Sequence, residues 1–272
     1  MKKGILFVAL LALWACKETP TAEPLAQPEE VERVALDEVA LPNTISNVVL
    51  PREEKIDLEV LLPMFYDKDF YGDEVSRINA NWLALFESEG QFHVRKARYE
   101  LQVEMNECTE SEVIGAISTE EEDPILFFSG TKGILKGKKE ALTIKQQPLW
   151  PEAPQEYVFK GNTYGLRAEG KQLDSYLYTD DSEQEKTFKL FENYKLYLRI
   201  DGGGEQLILD IPQFNDTFVK LLFVGDIDND GKLDFIFDTS ADYEQKRVEI
   251  YLSKGAKHNL YLAGATTVDF AC

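Results

Sequence analysis

Apolar and polar residues alternate with a period of two over much of the chain beyond Trp82. Tyr99, Leu101, Val103 and Met105 alternate with Glu100, Gln102 and Glu104, a pattern that predicts a strand with one wet face. Phe92 and Val94 have the opposite parity, so a bulge or break is expected near Lys96-Ala97. Tyr194, Leu196, Leu198 and Ile200 alternate with Lys195, Tyr197 and Arg199, and Val248, Ile250 and Leu252 repeat the pattern. Leu207-Ile208-Leu209 and Phe235-Ile236-Phe237 are unbroken apolar runs, as in strands covered on both faces. Turn chemistry separates these segments at Glu89-Gly90, Gly161-Asn162, Glu169-Gly170, Asp201-Gly202-Gly203-Gly204 and Lys254-Gly255. Together they predict a mainly β fold, an antiparallel sandwich or open barrel, with little helix after residue 85.

Before Trp82 the pattern changes. Ile56, Leu58, Val60, Leu61, Leu62 and Met64, interrupted by Pro63, then Phe65, Tyr66, Phe70 and Tyr71 among acids, predict a short helical N-terminal lead-in up to about Ala84. Residues 16–55 read as a tether. Pro20, Pro24, Pro28, Pro42 and Pro51 interrupt it, acids charge it, and it holds no aromatic side chain with which to build a core. Residues 56–272 are left as one β-rich domain.

The first 15 residues are a targeting segment. Lys2 and Lys3 precede an apolar run, Ile5 to Leu13, too short to span a bilayer that needs about 20 residues. The run ends in Leu13-Trp14-Ala15-Cys16, which resembles the lipobox of bacterial lipoproteins. That resemblance implies removal of residues 1–15, acylation of Cys16 and anchorage in a membrane. Lys17 follows where lipoproteins retained in an inner membrane often carry Asp, so the outer membrane is expected, with its periplasmic face and the cell surface both open. The formal charge of −20 at pH 7 repels phosphate backbones and argues against nucleic-acid binding and a polybasic membrane patch.

An exported protein folds in an oxidising compartment. Apart from Cys16, the cysteines are Cys108 and Cys272, and a disulfide between them is expected. It would close a loop of about 160 residues, worth about 4 kcal/mol in the chain-entropy account.

One segment carries chemistry: Asp226-Ile227-Asp228-Asn229-Asp230-Gly231-Lys232-Leu233-Asp234. Counting from Asp226, carboxylates fall at positions one, three, five and nine, with glycine at six and the Lys232 carbonyl at seven. Such oxygen-only spacing suits Ca²⁺, which takes six to eight oxygens at about 2.3–2.6 Å. Mutual repulsion of the acids should link folding of the loop to binding. An EF-hand would need a glutamate where Phe237 stands, and flanking helices where Leu221-Leu222-Phe223-Val224 and Phe235-Ile236-Phe237 read as strands. The segment Gly225 to Asp234, followed by Val248-Glu249-Ile250-Tyr251-Leu252, therefore resembles the strand–loop–strand calcium site of FG-GAP and VCBS-type repeats. The resemblance implies Ca²⁺ held by Asp226, Asp228, Asp230, Lys232 and Asp234. It does not imply a propeller, because the loop occurs once.

No Gly-x-Ser-x-Gly elbow, His-Glu-x-x-His pair or phosphate-cradling loop is present. His93 and His258 read as surface residues. Trp150, between Leu149 and Pro151, is either an exposed stacking platform or a side chain folded onto the core. Two functional readings follow. The first is a lipid-anchored envelope protein whose Ca²⁺-stabilised domain binds an unknown protein or glycan partner or serves envelope structure. The second is an exported hydrolase acting on glycan or peptide through carboxylates that no motif singles out.

Overall fold

In the computed structural model, residues 57–129, 133–144, 148–179, 184–254 and 259–269 are described. They belong to the second of the chain's two units, Leu50–Cys272. The signal segment, the tether, Cys16, His258, Cys272 and the Lys254-Gly255 turn glycine lie outside the described residues.

In chain order the elements begin with β1 (Leu58–Leu61), β2 (Phe65–Asp67), the helix α1 (Lys68–Val75), β3 (Leu83–Ser88), β4 (Gln91–Lys96), β5 (Tyr99–Asn106) and β6 (Ser111–Ser118). Next come β7 (Leu126–Phe128), β8 (Gly137–Lys138), β9 (Glu140–Ala141), β10 (Gln155–Phe159), β11 (Asn162–Thr179) and β12 (Glu185–Ile200). The last are β13 (Glu205–Gln213), β14 (Lys220–Asp226), β15 (Asp234–Asp238), β16 (Gln245–Lys254) and β17 (Asn259–Asp269).

The fold is mainly β, as the alternation predicts. A ten-stranded sheet runs in the order β8-β4-β3-β7-β1-β17-β16-β15-β14-β9. Its two edge strands, β8 and β9, are consecutive in sequence and separated only by Lys139, so the sheet comes close to closing as a barrel. Lys139 sits at that seam. Its N–H donates to the Phe92 carbonyl of β4 at 2.8 Å, while two residues on Ala141 pairs with Gly225 of β14. A four-stranded antiparallel sheet, β10-β11-β12-β13, and a three-stranded sheet, β2-β6-β5, complete the domain.

The helical lead-in is shorter than the sequence pattern predicts. The run Leu58–Leu61 is a strand in the middle of the ten-stranded sheet, parallel to β17 and antiparallel to β7. Burial on both faces gives it a near-continuous apolar run, and periodicity alone cannot tell such a run from a piece of buried helix. Among the described residues helix remains only in α1, where the Asp67 side chain caps the N-terminus by accepting from the Asp69 and Phe70 N–H groups at 2.9 and 3.4 Å.

Two cores flank the β14–β16 part of the large sheet. Ile236, Val248, Ile250 and Phe223 point into one with Leu58, Trp82, Phe86 and Phe127. Phe235, Phe237, Val224 and Tyr251 point into the other, against Tyr164, Tyr194, Leu196 and Leu198 of the four-stranded sheet. Phe235, Ile236 and Phe237 are all fully buried, as the unbroken apolar run predicts. Each such side chain contributes roughly 1.5–3 kcal/mol of transfer free energy.

Three local expectations are revised. Leu101, Val103 and Met105 do form a strand, but they are 46%, 50% and 60% exposed. The strand β5 is the edge of the three-stranded sheet, and beyond Tyr99, which packs on the first core, that face is left largely open. Leu207 is exposed, while Ile208 and Leu209 both enter the second core at a bulge against β12, so β13 has one covered face there rather than two. Glu169-Gly170 is not a turn: β11 continues through it with a bulge against β12 between Glu169 and Lys171. The break expected near Lys96-Ala97 is present, since β4 and β5 belong to different sheets. Among the described residues no helix is long and apolar enough to cross a membrane.

Candidate metal centre

The Asp-rich segment connects β14 to β15, which pair antiparallel with Gly225 opposite Asp234. Two apolar residues inside it, Ile227 and Leu233, are fully buried and enter different cores, Ile227 the first and Leu233 the second. These two plugs fix both ends of the loop beside the acids that flank them. Asn229 and Gly231 adopt left-handed conformations, with φ of 64° and 87°. Glycine takes that conformation without strain, so the chain doubles back where the sequence expects a sharp turn.

One carboxylate oxygen from each of Asp226, Asp228 and Asp234 lies within 4.8 Å of the others. That span matches oxygens placed around one ion at about 2.3–2.6 Å. Asp226 is 3% exposed and Asp234 fully buried. Every oxygen of Asp234 is used: Oδ1 accepts from the Ser253 N–H and Oδ2 from the Ile227 N–H, both at 2.8 Å. In Asp226, Oδ2 accepts from the Gly231 N–H at 2.9 Å and from Lys160 Nζ at 3.1 Å. Its Oδ1 is buried with no hydrogen-bond donor. A buried carboxylate oxygen left this way is costly unless a cation meets it, and its residue is one of the three that converge. The donor set is all oxygen, which suits a hard cation such as Ca²⁺.

Asp230 does not join the cluster. Its Oδ1 accepts from the Lys232 N–H at 2.9 Å, and its Oδ2 accepts from Lys232 Nζ at 2.9 Å and from Ser253 Oγ at 3.0 Å. The ammonium two residues along and the Ser253 hydroxyl have taken the oxygens that the spacing assigns to the ion. Asp228 Oδ1 accepts from the Asp230 N–H at 3.1 Å.

Electrostatics divide three of the acids. Burial pushes the Asp234 carboxyl well above the usual carboxylate range, with the Asp228 charge adding to it. Burial also raises Asp228, helped by Asp230. Asp230 is held low: burial opposes its charge, but the bonds from Lys232 and Ser253 outweigh that.

Residues with no sequence signal complete the centre. Lys160, in the turn between β10 and β11, bridges Glu140 at 2.9 Å and Asp226 at 3.1 Å. Tyr164 Oη accepts from the Leu233 N–H at 3.3 Å. Lys139 Nζ approaches Asn229 Oδ1 at 3.5 Å, and the side chain is 3% exposed. Burial lowers the pKa of Lys139, against the opposing charges of Asp226, Asp228 and Asp234. The loop is thus tied to the seam of the large sheet, to the four-stranded sheet and to the end of β16. None of these partners follows from local spacing, since each arrives from a distant part of the chain.

The other candidate residues are placed as follows. Cys108 takes part in a disulfide; Cys16 and Cys272 lie outside the described residues. Trp150 packs on Phe218, Phe188 and Phe191 with ring centroids at 4.4, 5.8 and 5.9 Å, so it is folded onto the core rather than offered as a platform. His93 is half-buried on β4, opposite Phe86. Comparison with protein-family models, with curated proteins and with solved structures yields no match to this chain.

Proposed function

We propose that the protein is a lipid-anchored bacterial envelope protein whose β-rich domain is clipped by Ca²⁺ at the Asp226–Asp234 loop and serves as a binding or structural module. The observation that carries the calcium reading is the convergence of Asp226, Asp228 and Asp234, together with a buried Asp226 oxygen that has no donor. The Lys232 carbonyl and water would complete the shell. The ion's role is structural. It joins loop ends that are already pinned in two cores, at a junction of both sheets, and an affinity of about 10⁻⁴–10⁻³ M suits an extracellular module. The anchoring reading rests on Leu13-Trp14-Ala15-Cys16, and the Cys108 disulfide fits an oxidising compartment.

The test is the thermal unfolding midpoint of the full chain in detergent, with Ca²⁺ and with EDTA, beside Asp228→Ala. A rise with Ca²⁺ that is absent from the variant supports the reading. Equal midpoints in Ca²⁺ and EDTA would overturn it and return attention to the hydrolase alternative.

A further inference from the structure

The three converging carboxylates face a lysine. Lys139 is the single residue joining the two edges of the large sheet, and its main chain is fixed there by the Phe92 carbonyl at 2.8 Å. Its side chain is almost wholly buried and reaches the Asp-rich loop at Asn229 Oδ1, 3.5 Å away. The charges it feels are those of Asp226, Asp228 and Asp234, the residues whose oxygens converge. Yet no carboxylate among the described residues comes within 4.0 Å of its ammonium. Lys160 differs: its ammonium is half-exposed and divided between Glu140 and Asp226. Lys139 therefore brings a buried positive charge that no direct ion pair consumes, and the field of the cluster offsets part of its desolvation.

We propose that Lys139 is the resident counter-cation of the loop, stabilising its metal-free state and holding its affinity for a divalent cation low. This deepens the calcium reading above and rests on it. Without metal, three clustered carboxylates repel one another, and the buried ammonium offsets part of that repulsion. When a divalent cation enters, the same ammonium becomes a like charge in the field of the same carboxylates. Lys139 is a positioning and affinity-setting residue, not a ligand. The loop stays folded when calcium is scarce, at the expense of tight binding.

The experiment is calorimetric titration of CaCl₂ into the EDTA-stripped full chain, with thermal midpoints in EDTA, for wild type, Lys139→Met, Lys139→Gln, Lys139→Arg and the exposed neighbour Lys138→Met. The neutral variants should bind Ca²⁺ about tenfold more tightly or better. They should also melt earlier in EDTA and recover in Ca²⁺. Lys139→Arg and Lys138→Met should bind as wild type does. If wild type binds and both neutral variants bind no more tightly, the role of Lys139 is overturned while the calcium reading stands. If no variant binds, the calcium reading falls and this inference with it. If Lys139→Met does not fold, Lys139→Gln decides by the same titration.

Discussion

The Ser253 N–H donates to Asp234 Oδ1 at 2.8 Å, so the end of β16 is fastened to the first residue of β15 through a fully buried carboxylate. Both oxygens of Asp234 accept main-chain donors, which makes it a structural brace as well as a candidate ligand. Asp228 is held by a single bond within the loop.

The two acids should therefore fail differently when altered. Asp234→Asn sets an amide NH₂ against one of two buried N–H donors, at a cost of about 1–3 kcal/mol. That loss should appear in denaturant unfolding in EDTA as well as in Ca²⁺. Asp228→Asn should leave the EDTA curve almost unchanged and lose only the calcium-dependent part. Equal loss for both variants in EDTA would contradict the division of roles.

Acidification should weaken the calcium effect. Asp234 and Asp228 are both raised, so the folded, metal-free domain holds their protons more tightly than the unfolded chain does. Their ionisation costs stability as pH rises from the unfolded pKa, about 3.9, through the higher folded value. Calcium requires the ionised forms and competes with those protons. The difference in midpoint between Ca²⁺ and EDTA should shrink as the pH falls toward the ordinary carboxylate range, beginning above it. Scans from about pH 7.5 to about 4.5 check this, and a difference that grows on acidification would refute it.

Gly225 is a steric requirement of the seam. A Cβ there would meet the Glu140 carbonyl at 2.6 Å and Ala141 Cα at 2.8 Å, both main-chain atoms of β9. Gly225→Ala should cost roughly 1–3 kcal/mol through displacement of that strand. Gly204→Ala, with nothing within 4 Å of its new methyl group, should be close to neutral in the same unfolding assay.

The disulfide partner of Cys108 should be Cys272. Asn106 and Thr109, beside Cys108, line a cavity of about 550 Å³ together with Asp269, the last residue of β17. Cys272 follows three residues later. Peptide mapping without reductant should recover Cys108 linked to Cys272, and reduction should cost about 4 kcal/mol in the chain-entropy account. A Cys108–Cys16 link would contradict both this pairing and acylation of Cys16.

How much of this was legible in the sequence follows from where the causes lie. Alternation along residues 194–200 identifies a strand because each residue's burial is set by its own parity, whereas residues 248–252 are all buried, Glu249 and Tyr251 included, because β16 is covered on both faces. The Asp226 loop is legible because its acids are local, within nine residues. The pull of Lys232 and Ser253 on the oxygens of Asp230 is not legible in the spacing, since Ser253 comes from another strand. Lys139 was invisible for the same reason: it lies far back in the chain, in no motif. The exposed apolar face of β5 reads like a core strand, since alternation says which residues share a face but not whether anything covers it.

The parallel pairing of β1 with β17 sets a temporal constraint. Leu58 aligns with Gly264, so the central strand of the large sheet finds one neighbour only when nearly all of the domain has been made. Until then β1 and β16 both present open edges, which are templates for unwanted pairing. Contacts of such long sequence separation slow folding and extend the life of partly folded species. Ribosome-bound chains that end before β17 should therefore remain protease-sensitive throughout, and completion of the domain should be a late, all-at-once event.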